Sequence, residues 1–228
     1  MEIKIFRQLK EDTYKQIQQM LSTEEYELFY DLDEYIYDIY FIAYEEDSIV
    51  SVISLFYEES KVFVTAFTKK EYRKKGYFKA LMESVCKNVK KLGITELYSQ
   101  DEAAAKLGFE YAYSEYLMSF DKFYNQKLKG IKANSDKIYI SEGRKRLGEL
   151  SYYVGEHFVT IYDVEIYFKY RGQGFGKKLM QGAIDYIYTN LKKPVILHVS
   201  GENVTAFNLY KKLGFLVKEE LQVRRRTI

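Results

Sequence analysis

The sequence predicts an α/β fold with a mixed (α+β) sheet in which one structural unit occurs twice. Residues 72–82 match residues 170–180, and the offset of 98 between Tyr72 and Tyr170 holds throughout the two segments. Short runs of alternating aromatic and β-branched residues precede each of these segments, as is typical of strands. Apolar residues at helical spacing follow each of them, which predicts an amphipathic helix.

Three strands are predicted upstream of each matching segment. They lie at residues 41–44, 49–57 and 61–68 in the first half, and at residues 137–141, 147–154 and 158–168 in the second half. The first half also has a leading strand at 3–6 and helical material at 11–30. The second half has no segments that correspond to these, so it is expected to lack the first helices of the domain.

The helices predicted after the two segments each show one apolar stripe, which indicates a face packed on a core. The stripes consist of Leu81, Met82, Val85, Cys86, Val89 and Leu92, and of Leu179, Met180, Ala183, Ile184, Ile187 and Leu191. The polar, lysine-rich stretch around Gly130 predicts a linker. We therefore expect a first domain at 1–121, a linker at 122–136 and a second domain at 137–228.

The composition restricts the function classes. The chain has 228 residues with 47% hydrophobic and 30% charged residues, a formal net charge of +2 and a single cysteine. It has no signal-peptide pattern and no apolar run long enough to cross a membrane, so we expect a cytoplasmic protein with no membrane partner. The near-neutral charge also argues against a nucleic-acid partner, and Arg224–Arg226 is interpreted as the charged end of an edge strand.

The charges are unevenly distributed. Residues 16–60 contain no Lys or Arg, and they hold twelve acids. One interpretation is an acidic surface that attracts a cationic acceptor. The favoured interpretation is a set of solvated helix faces and hairpin turns.

The second matching segment predicts an anion-binding loop. Gly172, Gly174 and Gly176 let the backbone turn its N–H groups inward, and a helix begins directly after them. Arg171 and Lys177 add positive charge. The pattern Arg-x-x-Gly-x-Gly differs in spacing from both the dinucleotide-binding fingerprint and the P-loop.

A second motif follows this loop. It runs from Asn203 through Tyr210 to Gly214-Phe215, in the pattern Asn-x-x-Ala-x-x-Leu-Tyr-x-Lys-x-Gly-Phe. Together the two motifs resemble the signatures of the Gcn5-related N-acetyltransferase (GNAT) superfamily. The resemblance implies acetyl-CoA as co-substrate, no metal, and a primary amine of a small molecule or peptide as acceptor. The fold it implies is two tandem GNAT-like domains.

The resemblance also implies roles for individual residues. A strand that splays from its neighbour would offer Val164 and Ile166 to the pantetheine arm, and the N–H of Val164 would polarise the acetyl carbonyl. Asn203 would bind the cofactor or cap the next helix. The loop residues that would surround the pyrophosphate are Arg171, Gly172, Gln173, Gly174, Phe175, Gly176 and Lys177.

Acetyl transfer to an amine also needs proton transfers. The resemblance makes Tyr210 the general acid near the sulfur. For the general base, His198 lies twelve residues before Tyr210 on a predicted strand, and its imidazole would serve at neutral pH. Glu165, Asp163 and a water chain to bulk solvent stay open as alternatives.

The first half departs from both motifs. Phe78 stands where the loop needs Gly or Ala, and Lys74 replaces a glycine. Ala104 stands where the tyrosine is expected. We therefore expect the first half to lack the acid chemistry and to act as a scaffold or as one wall of the acceptor pocket, with weak CoA binding left open.

The predicted function is acetyl-CoA-dependent N-acetyl transfer by direct attack in a ternary complex, catalysed by residues 137–228. The alternative is a non-catalytic sensor or interaction protein that binds acyl-CoA. The sequence leaves open the acceptor, the acyl donor and assembly as a homodimer.

Overall fold

The computed structural model describes residues 1–22, 38–58, 60–122 and 128–228. They fall into two units. The first consists of Met1–Ala112 with Val223–Ile228, and the second consists of Tyr113–Gln222. In the described residues, no helix is long and apolar enough to cross a membrane.

The first unit is a mixed sheet with helices on both faces. Its elements are β1 (Glu2–Phe6), α1 (Glu11–Ser22), β2 (Ile39–Glu45), β3 (Ser48–Glu58), β4 (Lys61–Thr68), a 3-10 turn (Lys70–Tyr72), α2 (Tyr77–Lys90), β5 (Glu96–Ser99) and a second 3-10 turn (Glu102–Leu107). Strands β1 to β4 pair antiparallel in sequence order, and β5 pairs parallel to β4.

The two helices of this unit lie on opposite faces because alternate strand residues supply two cores. Leu81 and Val85 of α2 pack with Phe41 and Ile53. On the other face, Ile17 of α1 belongs to a cluster with Ile42 and Val52 of β2 and β3. The helix predicted at 11–30 is confirmed over Glu11–Ser22, and its remainder lies outside the described residues.

The second unit is also mixed, but its two helices share one face. Its elements are the larger part of β6 (Glu110–Phe120), then β7 (Ile131–Ala133), β8 (Lys137–Glu142), β9 (Lys145–Val154), β10 (Val159–Ile166), a 3-10 turn (Phe168–Tyr170), α3 (Phe175–Leu191), β11 (Val195–Ser200), α4 (Val204–Leu213) and the first part of β12 (Leu216–Thr227). The strand order is β12-β6-β11-β10-β9-β8-β7.

The core of the second unit lies between this sheet and its helices. Leu179 and Ile184 of α3 and Leu213 of α4 pack in one cluster with Ile161 of β10 and Leu197 of β11. The opposite face of the sheet carries exposed residues, among them Tyr153, Tyr162 and His198. Among the described residues of this unit, no helix precedes β10, which agrees with the predicted lack of the first helices.

The units do not coincide with the halves of the sequence. Strand β6 leaves the first half to pair antiparallel with β11, in register Leu117↔His198. The last residues of β12 pair with β5, in register Arg224↔Ser99. Arg224–Arg226 therefore lies inside a paired ladder, and its interpretation as an edge strand was wrong. The segment proposed as a linker, 122–136, includes β7.

We predict that Gly182→Val destabilises the second unit. A Cβ on Gly182 would lie 2.4 Å from Cγ1 of Ile131, so β7 approaches α3 only because position 182 has no side chain. The expected loss is about 1–3 kcal/mol of unfolding free energy, measured by denaturant unfolding.

The double variant Gly182→Val with Ile131→Ala should recover part of this loss, because the clashing side chain is gone. Thr189→Val, at an exposed position of the same helix, is the matched control. A single variant as stable as the wild type would contradict the close approach.

Candidate active site

The central feature of the second unit is a β-bulge in β10. Its register with β9 runs from Val159↔Val154 to Tyr162↔Ser151 and resumes at Glu165↔Glu149, so Asp163 and Val164 have no partner on β9. Asp163 has a φ of 50°, in the left-handed region. Aspartate is among the few residues that tolerate this conformation, and a bulge is where it is needed.

The bulge reverses which residues of β10 face the core. Val159 and Ile161 are buried, and strict alternation would continue this with Asp163 and Glu165. The extra residue shifts the phase, so that Val164 and Ile166 pack on the core while Asp163 and Glu165 are exposed. The bulge thereby avoids burying two carboxylates, which would be costly without partners.

Strands β10 and β11 separate beside this bulge. They pair in parallel only over three positions, ending at Ile161↔Leu197. Beyond that point β10 pairs with β9 alone and β11 with β6 alone. The result is an opening between two strands whose facing edges are unpaired, as the resemblance implied.

Gly148 lets β9 lie close to β10 just after the bulge. A Cβ on Gly148 would lie 2.5 Å from the carbonyl oxygen of Glu165 and 3.0 Å from Cα of Ile166. These are backbone atoms that cannot rotate away, so only glycine fits. The role of Gly148 could not be predicted from the sequence, because nothing in its local pattern distinguishes it from a glycine within any strand.

Glu149, next to Gly148, connects three elements around the bulge. Its carboxylate accepts hydrogen bonds from Nζ of Lys137 at 2.8 Å, from Arg146 at 2.8 Å and from the hydroxyl of Tyr167 at 3.1 Å. The hydrogen bond from Lys137 is the main cause that lowers the pKa of Glu149, and partial burial opposes it. Glu149 is therefore a charged anchor between β8, β9 and the start of the glycine loop.

The glycine loop presents free backbone amides. Gly172 and Gly174 have φ values of 75° and 78°, and α3 begins at Gly174 without any side-chain cap. Within the described chain, the amides of Gly172, Gln173 and Gly174 donate to no acceptor. The first amides of α3 also lack helical acceptors, and the helix dipole adds positive potential there. The loop thus has the properties of an anion site.

The side chain of Arg171 is held at the start of this loop. Its Nε donates to the carbonyl oxygen of Ile166 at 2.8 Å, and its guanidinium lies 3.6 Å from the carboxylate of Glu165. Both members of this ion pair are more than half exposed, so it contributes little stability. The amide of Arg171 donates to Phe168, so Arg171 offers an anion its side chain rather than its N–H.

The start of α3 packs against α4 at Gly176, where an added Cβ would make only ordinary van der Waals contacts. A Cβ there would lie 3.5 Å from Leu209 of α4 and 3.8 Å from Ile166. Helix α4 itself begins at Asn203, whose side-chain oxygen accepts from the amide of Ala206 at 3.1 Å. Of the two roles expected for Asn203, the structure therefore has the helix cap.

Tyr210 lies in the core on the helix side of the sheet. Its side chain is only 6% exposed and contacts the ring of Phe215, with centroids 5.8 Å apart. Burial raises the pKa of Tyr210 to about 12. The phenol is therefore protonated at neutral pH.

His198 lies on the other face of the sheet. It is the residue of β11 that follows the last pair with β10, and it is exposed. Tyr162 occupies the corresponding position on β10. His198 and Tyr210 thus lie on opposite faces of the sheet. Glu165, the alternative base, is exposed beside Arg171.

The first unit has a loop that corresponds to the glycine loop of this site. Nε of Arg73 donates to the carbonyl oxygen of Thr68 at 2.9 Å, as Arg171 does to Ile166. Lys74 has a φ of 63° where Gly172 has 75°. Helix α2 also begins at a left-handed glycine, Gly76. The two loops therefore share one backbone conformation.

The first unit nevertheless lacks the bulge and the tyrosine-bearing helix of the second unit. Its β3–β4 register is continuous, so no bulge matches that of β10. The counterpart of α4 is reduced to a 3-10 turn, in which buried Ala104 accepts from Phe109 as Tyr210 accepts from Phe215. Phe78, at the place of Gly176, packs against the core.

In the described residues, no group of three or more His, Cys, Asp or Glu is placed to hold a metal ion.

A depression of about 430 Å³ lies beside the bulge, on the face of the sheet away from the helices. It is lined by Lys137, Glu149, Ser151, Asp163, Val164 and Glu165.

Comparison with known proteins identifies the family. The family model of the acetyltransferase (GNAT) family matches residues 4–109 and again residues 109–215. The chain belongs to the GNAT acetyltransferase family. Two matches in one chain also make it a tandem member, in agreement with the repeat, and membership makes it an N-acetyltransferase by family.

Individual relatives are more distant. The spermidine N(1)-acetyltransferase of Vibrio cholerae serotype O1 is 31% identical over 120 residues, which cover 49% of this chain and 67% of that protein. A mycothiol acetyltransferase of Corynebacterium glutamicum is 32% identical over 89 residues, 38% of this chain but only 30% of that protein.

Solved structures share the fold over the whole chain. A tandem GNAT protein from the clavulanic acid biosynthesis pathway has a TM-score of 0.64 at 11% identity and covers 99% of this chain and 98% of its own. A GNAT-family acetyltransferase from Colwellia psychrerythraea has a TM-score of 0.61 at 10% identity, with complete coverage of both chains. At these identities the likeness concerns the fold alone.

We predict that Tyr210 makes stability fall at alkaline pH. An ordinary phenol ionises near pH 10, whereas Tyr210 in the folded protein does so only near about 12. Between these values the unfolded chain loses a proton that the folded chain keeps, so unfolding becomes more favourable as pH rises. Below pH 10 the contribution of Tyr210 is fully present.

Tyr210→Phe removes this linkage. Relative to the wild type, the variant should lose about 2–3 kcal/mol less unfolding free energy between the two pKa values. Denaturant unfolding at a series of alkaline pH values measures the difference. Parallel stability curves for the two proteins would contradict a buried, protonated phenol.

Proposed function

We propose that the second unit transfers the acetyl group of acetyl-CoA to a primary amine, by direct attack within a ternary complex. The observation that carries the proposal is the alignment of two features within one unit: the opening between β10 and β11, and the uncapped amides of the loop that follows β10. An anion held at the loop would place an attached chain at the opening.

The loop residues suit a pyrophosphate. Amides from Gly172 to Lys177 would donate to its oxygens, and the guanidinium of Arg171 would add charge. The pantetheine arm would lie in the opening and pair with free strand edge near Val164 and Ile166, as an added strand does. Val164, freed from pairing by the bulge, would direct its N–H at the acetyl oxygen.

The chemistry would proceed with balanced proton transfers. The amine nitrogen attacks the thioester carbon, so a C–N bond forms and the C–S bond breaks. The nitrogen gives its proton to His198, or to Glu165 as the alternative base, and the CoA sulfur takes a proton from Tyr210. Burial raises the pKa of Tyr210 to about 12, so the phenol carries its proton at neutral pH but is a weaker acid than an exposed tyrosine.

The acceptor class has support from the relatives. A spermidine acetyltransferase acts, by its name, on a polyamine, and it covers about half of this chain. The mycothiol enzyme covers a smaller part of it. The spermidine relative thus supports an amine acceptor, and the acidic stretch at 16–60 is not needed for the proposal.

We predict that the protein releases CoA thiol from acetyl-CoA when amines are supplied. A panel of small amines and amine-bearing peptides, read by a thiol reagent, tests this. Tyr210→Phe should lower turnover by roughly 10²-fold or more, because a positioned acid contributes at least that much. Tight CoA binding without thiol release from any amine would instead favour the acyl-CoA sensor.

We also predict that Gly174→Glu abolishes binding of CoA. The new carboxylate would stand among the amides that receive the anion, and the left-handed φ of 78° is unfavourable for it. Calorimetric titration with CoA measures the loss.

The repeat supplies the matched control. Gly76→Glu in the first unit introduces the same residue at the same backbone conformation, with a φ of 90°. It should leave the CoA affinity as in the wild type. If Gly76→Glu rather than Gly174→Glu removed binding, the cofactor site would have to be assigned to the first unit.

A further inference from the structure

Strand β9 of the second unit corresponds to strand β3 of the first. Across β9 and β10, Gly148 faces Ile166 just before the glycine loop. Across β3 and β4, Ser51 faces Thr68 at the same place. In the first unit, helix α1 packs on the face of these strands that lies away from α2. In the described part of the second unit no helix covers that face, so other contacts hold the strands next to the bulge there.

The residues on this face differ in kind between the two units. Tyr40 and Val52 of the first unit are buried in the cluster that includes Ile17 of α1. By strand register, the second unit has Lys137 and Glu149 at these two positions. Nζ of Lys137 donates to the carboxylate of Glu149 at 2.8 Å. A hydrogen-bonded ion pair therefore lies where the first unit has apolar packing beneath a helix.

The carboxylate of Glu149 is the centre of a cluster of four side chains. It is 19% exposed and accepts from Lys137 of β8, from Arg146 of β9 and from Tyr167, which follows β10. Hydrogen bonds to a charged acceptor are strong, and several of them together restrict its position. The cluster therefore holds β8 and the residue that follows β10 in place relative to β9.

One side of the cluster contacts the start of the loop. Tyr167 is the residue before the 3-10 turn that leads into the glycine loop. Its amide donates to the carbonyl oxygen of Leu147 at 3.0 Å, and its hydroxyl donates to Glu149 at 3.1 Å. Tyr167 is thus attached to β9 through its backbone and through its side chain. The direction in which the chain enters the anion-binding loop is set at this residue.

The other side of the cluster contacts the bulge. Lys137 lines the depression there together with Asp163 and Val164. Glu149 contributes most to raising the pKa of Lys137, and the carboxylate of Asp163 raises this pKa further, so the ammonium attracts both groups. The N–H of Val164 belongs to the peptide group that joins it to Asp163, and this group is planar. Its direction therefore follows the backbone of Asp163, which Lys137 attracts.

We propose that Glu149 is a positioning residue of the active site, which orients the amide of Val164 through Lys137 and the anion-binding loop through Tyr167. One carboxylate thereby sets the distance between the amide that polarises the acetyl oxygen and the loop that holds the pyrophosphate. This inference rests on the proposed acetyl transfer. It adds residues that act on the reactive groups without touching either substrate.

The two sides of the cluster predict different kinetic effects. Lys137→Met should lower kcat about tenfold and leave the affinity for CoA as in the wild type, because a small misplacement of the polarising amide is costly. Tyr167→Phe should weaken CoA binding about tenfold at a kcat close to that of the wild type, because the loop loses a hydrogen bond to a charged group. Glu149→Gln should show both effects. Steady-state kinetics with acetyl-CoA and calorimetric titration with CoA measure them.

Further variants separate positioning from stability. Lys137→Arg keeps a charged donor and should retain most of the wild-type kcat. In the Glu149→Gln background, Lys137→Met should have little further effect, because its partner has already been removed. Lys145→Met, which removes an exposed ammonium from the same strand as Glu149, is the matched control and should behave as the wild type. Denaturant unfolding of each variant measures its stability separately.

The possible outcomes are distinct. Unchanged kcat and CoA affinity in Glu149→Gln, whether or not its stability falls, would overturn this inference and leave the proposed function standing. Equal losses of kcat and CoA affinity in Lys137→Met and in Tyr167→Phe would overturn it as well, since the two sides of the cluster would then have no separate roles. Absence of turnover with every amine in the wild type would remove the proposed function and this inference with it.

Discussion

The single constraint on which the second unit depends is the extra residue in β10. It changes the phase of the strand, so apolar side chains keep facing the helices while two carboxylates remain in solvent. It also ends the pairing of β10 with β9 for two residues at the level where β11 departs. Gly148 and the hydrogen bonds to Glu149 hold the strand in this conformation from the β9 side. Core packing and site geometry are therefore the result of one local insertion.

The two units share the backbone conformation of the loop but differ in the bulge and in the helix that carries Tyr210. Both loops have an arginine bound to the preceding carbonyl oxygen, a left-handed residue and a glycine that begins a helix. Upstream of the bulge, Val62 and Val64 face α2 as Val159 and Ile161 face α3, so the second unit has one more residue than the first between these positions and the loop arginine. The units also differ in that α4, which carries Tyr210, is longer than the corresponding 3-10 turn of the first unit.

The glycine loop and the helix stripes could be predicted from the sequence because each depends on local spacing, although Leu92, placed in the first stripe, follows the end of α2 and is exposed. The role of Tyr210 was implied by the resemblance and stays a prediction. The splayed strand was expected from the resemblance, and the pairing agrees with it. The position of the bulge, Gly148 and the role of Glu149 could not be predicted, because they depend on which residues face each other across two strands. The same holds for the exchanged strand ends, since the arginines at 224–226 carry no sign of their partner on β5.

The exchange of strand ends has a consequence for synthesis in the cell. The residues that complete the ladder beside β5 are 223–228, which the ribosome makes after all of the second unit. Until they emerge, the nascent first unit keeps an unsatisfied strand edge next to Leu97 and Tyr98. Its maturation is thus coupled to the end of translation of this segment, unlike domains that fold one after another from the N-terminus.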